Sequence, residues 1–248
     1  MMKEVFFEIV SNESIAKNTY EMVLTGDTSE ITRPGQFVNI KLEGFFLRRP
    51  ISVCHYETGK LVLIYKVVGE GTELMARLKP GTVLNVLTGL GNGYDLSIAG
   101  DSPVLIGGGA GIPPMYSLCE ALIERLSPEN IKVVLGFNSE DEIFYLSKFV
   151  ELGVDVRVAT VDGSVGAKGF VTGVLKDLEY SYFYTCGPMP MFKAIESIAN
   201  TSGQYSFEER MGCGFGACMG CSMMMADGTY KRVCKEGPVF RREEILWK

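Results

Sequence analysis

Two hydrophobic rhythms divide the chain. Over residues 1–98 apolar and polar positions alternate with a period near two, as they do along half-buried strands. The alternation predicts strands at Val5–Val10, Tyr20–Thr25, Gln36–Leu42, Arg49–His55, Lys60–Val67 and Thr82–Leu87, with one short helix at Glu73–Leu78. Six short strands separated by Gly, Pro, Asn and Asp clusters predict a closed or nearly closed antiparallel barrel. From Ser102 the apolar runs become continuous. Strands at Val104–Ile106, Lys132–Phe137, Asp155–Thr160 and Tyr182–Cys186 alternate with helical stretches near Met115–Leu126, Asp141–Glu151, Gly173–Leu178 and Met189–Ala199. That order predicts βαβ units and a parallel sheet. After Ala199 the chain is rich in Gly, Cys and Met, with a hairpin expected at Asp227-Gly228. The expected architecture is therefore β + α/β: an antiparallel barrel (1–98), a Rossmann-like parallel-sheet domain (99–200) and a small cysteine-rich domain (201–248).

Composition narrows this picture. A chain of 248 residues, 46% hydrophobic and 22% charged, suits two moderate domains and an appendage. The net charge of −6 argues against a nucleic-acid partner. It is uneven: residues 201–248 hold seven Lys/Arg against six Asp/Glu, and residues 1–200 hold 17 against 24. The opening Met-Met-Lys-Glu-Val-Phe-Phe-Glu stretch is too short and too charged for a signal peptide, and no apolar run predicts a transmembrane helix. A reduced, cytoplasmic setting is expected. His55 is the single histidine, so chemistry built on histidine acid–base catalysis is not expected.

The candidate chemistry lies in four cysteines, Cys213, Cys218, Cys221 and Cys234, spaced C-x4-C-x2-C-x12-C. Plant-type 2Fe-2S clusters use C-x4-C-x2-C and a more distant fourth cysteine. Small residues between them (Gly212, Gly214, Gly216, Ala217, Gly220) let a loop wrap closely. Lys231, Arg232 and Lys235 could offset the negative charge of such a site. Structural zinc also takes four cysteines, but its knuckles repeat a short C-x2-4-C pair, and here the fourth cysteine stands alone. Disulfides need an oxidising compartment. Cys54, Cys119 and Cys186 are dispersed and read first as core residues.

Nucleotide motifs precede the cysteines. Gly109, Gly111 and Pro114 belong to a Gly-rich loop between a strand and a helix, where backbone N–H groups can meet a pyrophosphate. Taken alone the loop could be a tight turn. Cys186-Gly187-Pro188 occupies the equivalent place after a later strand, and both loops would emerge at the carboxyl ends of a parallel sheet. Arg49-Pro50-Ile51-Ser52 combines a potential phosphate clamp with a hydroxyl that could meet a flavin edge. Its bland alternative is a pair of surface arginines at a strand start.

Together these pieces resemble the ferredoxin–NADP reductase superfamily. Arg48-Arg49-Pro50-Ile51-Ser52, Gly69-Glu-Gly71-Thr72, the Gly107–Met115 loop and Met211–Cys218 look like the electron-transfer subunits of class 1B dihydroorotate dehydrogenases. The resemblance implies FAD, one 2Fe-2S cluster and NAD. It also implies a catalytic partner subunit carrying FMN and the dihydroorotate site, in a heterotetramer of two plus two. It assigns FAD contacts to Arg49, Pro50, Ile51, Ser52, Ile64, Tyr65, Lys66, Gly71 and Thr72, and matches Gly89–Tyr94 at the barrel end. Ile51 stands where the superfamily often has a tyrosine. No residue here is expected to deprotonate dihydroorotate. Asp162 could accept from a ribose 2′-hydroxyl and so favour NAD over NADP, although Asp162-Gly163 also reads as a turn. Two alternatives stay open: a flavin/iron–sulfur NAD(P)H module serving a hydrogenase, monooxygenase or ferredoxin oxidoreductase, and a non-enzymatic zinc-stabilised nucleotide sensor.

Overall fold

Six antiparallel strands close the barrel in a computed structural model that describes residues 2–247. They are β1 (Lys3–Ala16), β2 (Thr19–Thr25), β3 (Phe37–Ile40), β4 (Arg49–Glu57), β5 (Lys60–Lys66) and β6 (Val83–Leu90), joined as β1-β2-β5-β4-β3-β6. Inward-facing Phe7, Ile9, Met22, Leu24, Val38 and Leu63 form the barrel core. β1 runs past the predicted Val10 because its polar continuation still pairs with β2 across two register shifts. Asn12 in that extension secures helix α1 (Glu70–Arg77). Its amide donates to the Met75 and Leu78 carbonyls at 2.8 and 3.1 Å, and its oxygen accepts the Tyr65 hydroxyl at 2.9 Å. α1 begins three residues before the predicted Glu73. Thr72 Oγ1 accepts the Val68 and Gly69 N–H groups and closes the first turn.

The next region alternates strand and helix as expected: β7 (Val104–Gly108), α2 (Ile112–Ile123), β8 (Lys132–Phe137), α3 (Leu146–Glu151), β9 (Asp155–Thr160), β10 (Ala167–Lys168), α4 (Val171–Leu175), β11 (Phe183–Cys186), α5 (Met189–Glu196) and β12 (Gly203–Ser206). A hairpin of β13 (Ser222–Met224) and β14 (Tyr230–Arg232) follows, as Asp227-Gly228 predicts, and then β15 (Val239–Arg241). The sheet order is β10-β9-β8-β7-β11-β12-β15. It is parallel except at one edge, where β15 returns antiparallel to β12. The Rossmann-like parallel sheet is as expected, with one antiparallel edge strand added from the last segment.

Helix ends also differ from the periodicity. α2 starts early because Pro113 and Pro114 occupy its first turn, where a missing N–H has no helical partner to lose. α3 loses the first half of its predicted span. Tyr145 immediately before it adopts a left-handed φ of 60°, a conformation costing about 1–3 kcal/mol for a non-glycine residue.

Tyr145 is held there by the barrel: its hydroxyl donates to Glu21 at 2.6 Å. Lys17 pairs with Asp141 at 2.8 Å and Lys66 with Glu142 at 3.1 Å across the same seam. Further along, α2 packs on β4, where His55 Nδ1 meets Glu120 at 2.8 Å. Among the described residues no helix is long and apolar enough to cross a membrane. The Glu120 hydrogen bond raises the His55 pKa above its ordinary value, against the opposing effect of burial. The pair therefore stabilises the fold at pH below about 6.5, and that contribution is lost as pH rises through the folded-state value. His55→Gln should narrow its stability deficit relative to the parent chain as pH rises from 6 to 9 in urea unfolding. A deficit independent of pH would contradict this role.

Candidate functional site

Three sites share the molecule. The first is at the mouth of the barrel. Arg49 opens β4, and its guanidinium lies 4.4 Å above the Phe45 ring. It also lies against Gly71 in the first turn of α1, where an added Cβ would stand 2.1 Å from Nε. Among the described residues its polar partner is the Leu47 carbonyl at 2.5 Å, and no carboxylate competes for the fork. An arginine without a carboxylate partner beside a helix N-terminus has the chemistry to cradle a phosphate. The Thr72 hydroxyl is spent on the turn itself, since it also donates to the Gly69 carbonyl. Pro50, Ile51 and Ser52 continue β4, half-buried opposite Asn39, Val38 and Phe37. On β5, Ile64 and Tyr65 are buried and Lys66 is half-buried. The Tyr65 ring turns into the barrel and stacks on Tyr20, so only its backbone can face outward.

The second site is a cleft of ≈ 480 Å³ at the carboxyl ends of the parallel strands. Gly109, Gly111, Gly187 and Pro188 line it, and Lys66 reaches it from the barrel. Gly111 is forced by contact: a Cβ there would stand 2.1 Å from the Cys186 carbonyl oxygen. Cys186 and Pro114 are buried behind the lining, and burial pushes the Cys186 thiol up to about 12. Asp162 lies outside the cleft, in an exposed turn where its carboxylate accepts the Ser164 N–H and hydroxyl at 2.9 and 2.7 Å. Its neighbour Val161 lines the cleft instead. Sequence reasoning missed three cleft-lining residues: Glu142, which pairs with Lys66, exposed Phe170, and Glu208 just after β12.

The third site is the cysteine loop. Cys218 neighbours Cys213, and Cys221 neighbours Cys234. The Ala217 and Cys218 N–H groups point at Cys213 Sγ at 3.2 and 3.5 Å, and the Cys234 N–H points at Cys221 Sγ at 3.5 Å. Burial pushes the Cys213 thiol up, but the N–H groups of Phe215, Cys218 and Ala217 and the Cys218 thiol together hold it down to about 6. Burial and the neighbouring Cys221 thiol push Cys234 up to about 12. Among the described residues no three His, Cys, Asp or Glu side chains converge to hold a single metal ion. The C-x4-C-x2-C-x12-C spacing and these neighbouring thiols suit a dinuclear cluster, in which each iron takes two protein ligands. The expected compensating charges are partly engaged. Lys231 donates to Glu244 at 2.6 Å, and Arg232 forks onto Glu236 while its Nη1 donates to the Gly216 carbonyl at 2.5 Å. Cys218 is exposed, as are Phe215 and Met219 beside it.

A barrel with a phosphate cradle, a dinucleotide-sized cleft and a paired-thiol loop define an NAD-linked oxidoreductase of the ferredoxin reductase type. Residues 105–197 match the oxidoreductase NAD-binding domain, and residues 208–246 match the iron–sulfur cluster binding domain of dihydroorotate dehydrogenase B. The chain is 43% identical to the dihydroorotate dehydrogenase B (NAD(+)) electron transfer subunit of Bacillus pumilus, over 98% of each chain. It is 42% identical to that of Bacillus mycoides, over 99% of this chain and 100% of the other. A solved NADH-dependent reduced ferredoxin–NADP oxidoreductase, studied for flavin-based electron bifurcation, superimposes with a TM-score of 0.86 at 30% identity, over 97% of this chain and 90% of the other. The chain belongs to the family of dihydroorotate dehydrogenase B (NAD(+)) electron transfer subunits, as the sequence motifs implied.

Gly111→Ala drives a Cβ into the Cys186 carbonyl. It should weaken NADH binding by about tenfold or more by calorimetry, a loss of about 1.4 kcal/mol. Unchanged NADH affinity would show that the cleft tolerates the displacement.

Proposed function

We propose that this chain carries electrons from the FMN of a dihydroorotate dehydrogenase catalytic subunit, through a 2Fe-2S cluster and FAD, to NAD+. The observation that carries the reading is the presence, in one chain, of the dinucleotide cleft and the two thiol pairs, with the phosphate cradle between them in function. In this reading Cys213, Cys218, Cys221 and Cys234 hold the cluster. Arg49 and the α1 N-terminus at Gly71 and Thr72 hold the FAD pyrophosphate, while Pro50, Ile51, Ser52, Ile64, Lys66 and the Tyr65 backbone border the flavin. Gly109, Gly111, Pro114, Cys186, Gly187 and Pro188 shape the NAD site. The chemistry FAD supplies is conversion between single electrons and a hydride, since nicotinamide takes two electrons together.

The residues position these groups and exclude water; none acts as a base. Exposed Cys218, Phe215 and Met219 give the cluster edge a route to the partner subunit. Of the carboxylates in the cleft, Glu208 has no cationic partner among the described residues and favours NAD over a 2′-phosphorylated dinucleotide, whereas Glu142 is matched by Lys66 and Asp162 by its own turn. The three segments 1–98, 99–200 and 201–248 divide these roles, although β12 and β15 from the last segment complete the dinucleotide sheet. The assembly is a cytoplasmic heterotetramer of two catalytic and two electron-transfer subunits. The similarity to the solved reduced ferredoxin–NADP oxidoreductase supports a second reading with a ferredoxin-type partner.

Co-purification with the catalytic subunit should yield dihydroorotate-dependent NAD+ reduction. No such activity, together with activity on reduced ferredoxin, would move the assignment to the second reading. Within the complex, Cys218→Ser should abolish most dihydroorotate-driven NAD+ reduction. It should leave NADH oxidation by an artificial acceptor that draws from FAD largely intact. Equal loss of both would make the cluster a structural element.

A further inference from the structure

Asn39 is out of place in the barrel. It sits mid-strand in β3 between Val38 and Ile40 and is 1% exposed. A buried polar group left without its hydrogen bond costs about 1–3 kcal/mol, so an amide here needs a compensating contact. That contact comes from 174 residues along the chain: Nδ2 donates to the Cys213 carbonyl at 3.2 Å. Gly214 follows at φ +78°, and a Cβ there would stand 2.2 Å from Nδ2, so the cysteine loop lies flush on the amide. Within the barrel, Asn39 faces Pro50 across the β3–β4 ladder, and its own carbonyl accepts Arg48 Nη1 at 3.3 Å. Its Oδ1 is buried without a protein partner. One residue therefore touches the first cluster cysteine and the strand that carries Arg49–Ser52.

We propose that Asn39 is a positioning residue for electron transfer, its amide fixing the Cys213 end of the loop at one separation from the flavin-side strand. This rests on the functional reading above. Electron tunnelling falls exponentially with separation, so a loop free to shift would lose rate while keeping both cofactors. Other ties hold different parts of the excursion. Arg232 grips the Gly216 carbonyl, and Asn92 grips the Glu236 and Val239 carbonyls, both at 2.9 Å. Of these three, Asn39 is the one on β3 beside β4.

The test is Asn39→Leu in the full chain, with Asn39→Ser as a smaller variant that folds where leucine does not fit. Hydrogen exchange by mass spectrometry should show amides of residues 211–218 exchanging about tenfold faster or more, with β7–β9 unchanged, as expected when a local tie is lost. Stopped-flow mixing with NADH should show flavin bleaching within about twofold of the parent chain. Cluster bleaching should be slower by about tenfold or more, the scale of a small misplacement. The EPR lines of the reduced cluster should broaden. Parent-like exchange and parent-like cluster reduction in a variant carrying its full flavin and iron would overturn the proposal. A parent chain whose flavin NADH fails to bleach would strike the functional reading instead, and the exchange result would still decide the role of Asn39.

Discussion

Pairing of β15 with β12 is the interaction on which the cysteine site depends. The chain leaves the sheet after Ser206, forms the thiol loop and the β13–β14 hairpin, and returns along the same edge through Gln204↔Arg241, Tyr205↔Phe240 and Ser206↔Val239. Aromatic packing backs the return: Tyr205 meets Trp247 at 4.9 Å and Phe207 meets Phe240 at 6.0 Å between ring centroids. Asn92, just past β6, binds the same return from the barrel side through Gly237, Glu236 and Val239. The loop is thereby fixed at both ends to two domains. Four thiols on a free tether would have to be ordered at the full entropic cost of loop closure.

That anchoring shapes the electrostatics. Near the thiols the cationic side chains are largely matched by their own acids, and Arg232 holds Glu236 down to about 2. Backbone N–H groups therefore carry much of the stabilisation of negative sulfur at Cys213. At the other end of the molecule, the Lys17–Asp141, Lys66–Glu142 and Tyr145–Glu21 contacts set the barrel against the sheet. The Lys66–Glu142 tie lies within the cleft, whose lining otherwise comes from the parallel-sheet side. The arrangement suits a carrier that accepts a nicotinamide on one side and single electrons on the other.

Much of this was legible in the sequence, because the features involved are local. Cysteine spacing, the Gly109–Pro114 loop, Cys186-Gly187-Pro188 and the alternation of the barrel each follow from contacts among near neighbours. What escaped depends on distant partners. β12 was missed because Gln204 and Ser206 make it look polar, yet both are buried, and Gln204 is satisfied by the Asp95 backbone. β15 is three residues long and exists only by pairing with β12. Tyr65 faces inward with Leu61 and Leu63, and its hydroxyl finds its partner in Asn12, which lies in a strand extension the pattern did not reach. Asp162 has the right chemistry for a ribose, but its own turn uses the carboxylate. Asn39 carried no periodic signal at all, since its reason for being buried lies at Cys213.

The central claim is that one chain joins a two-electron cofactor to a one-electron centre. An anaerobic titration of the flavin- and iron-loaded protein with NADH, followed by visible absorption and EPR, tests it most directly. Complete reduction should take about 1.5 NADH per chain, two electrons for the flavin and one for the cluster, with the cluster signal appearing as the flavin bleaches. An end point at about one NADH with no cluster signal would contradict the account.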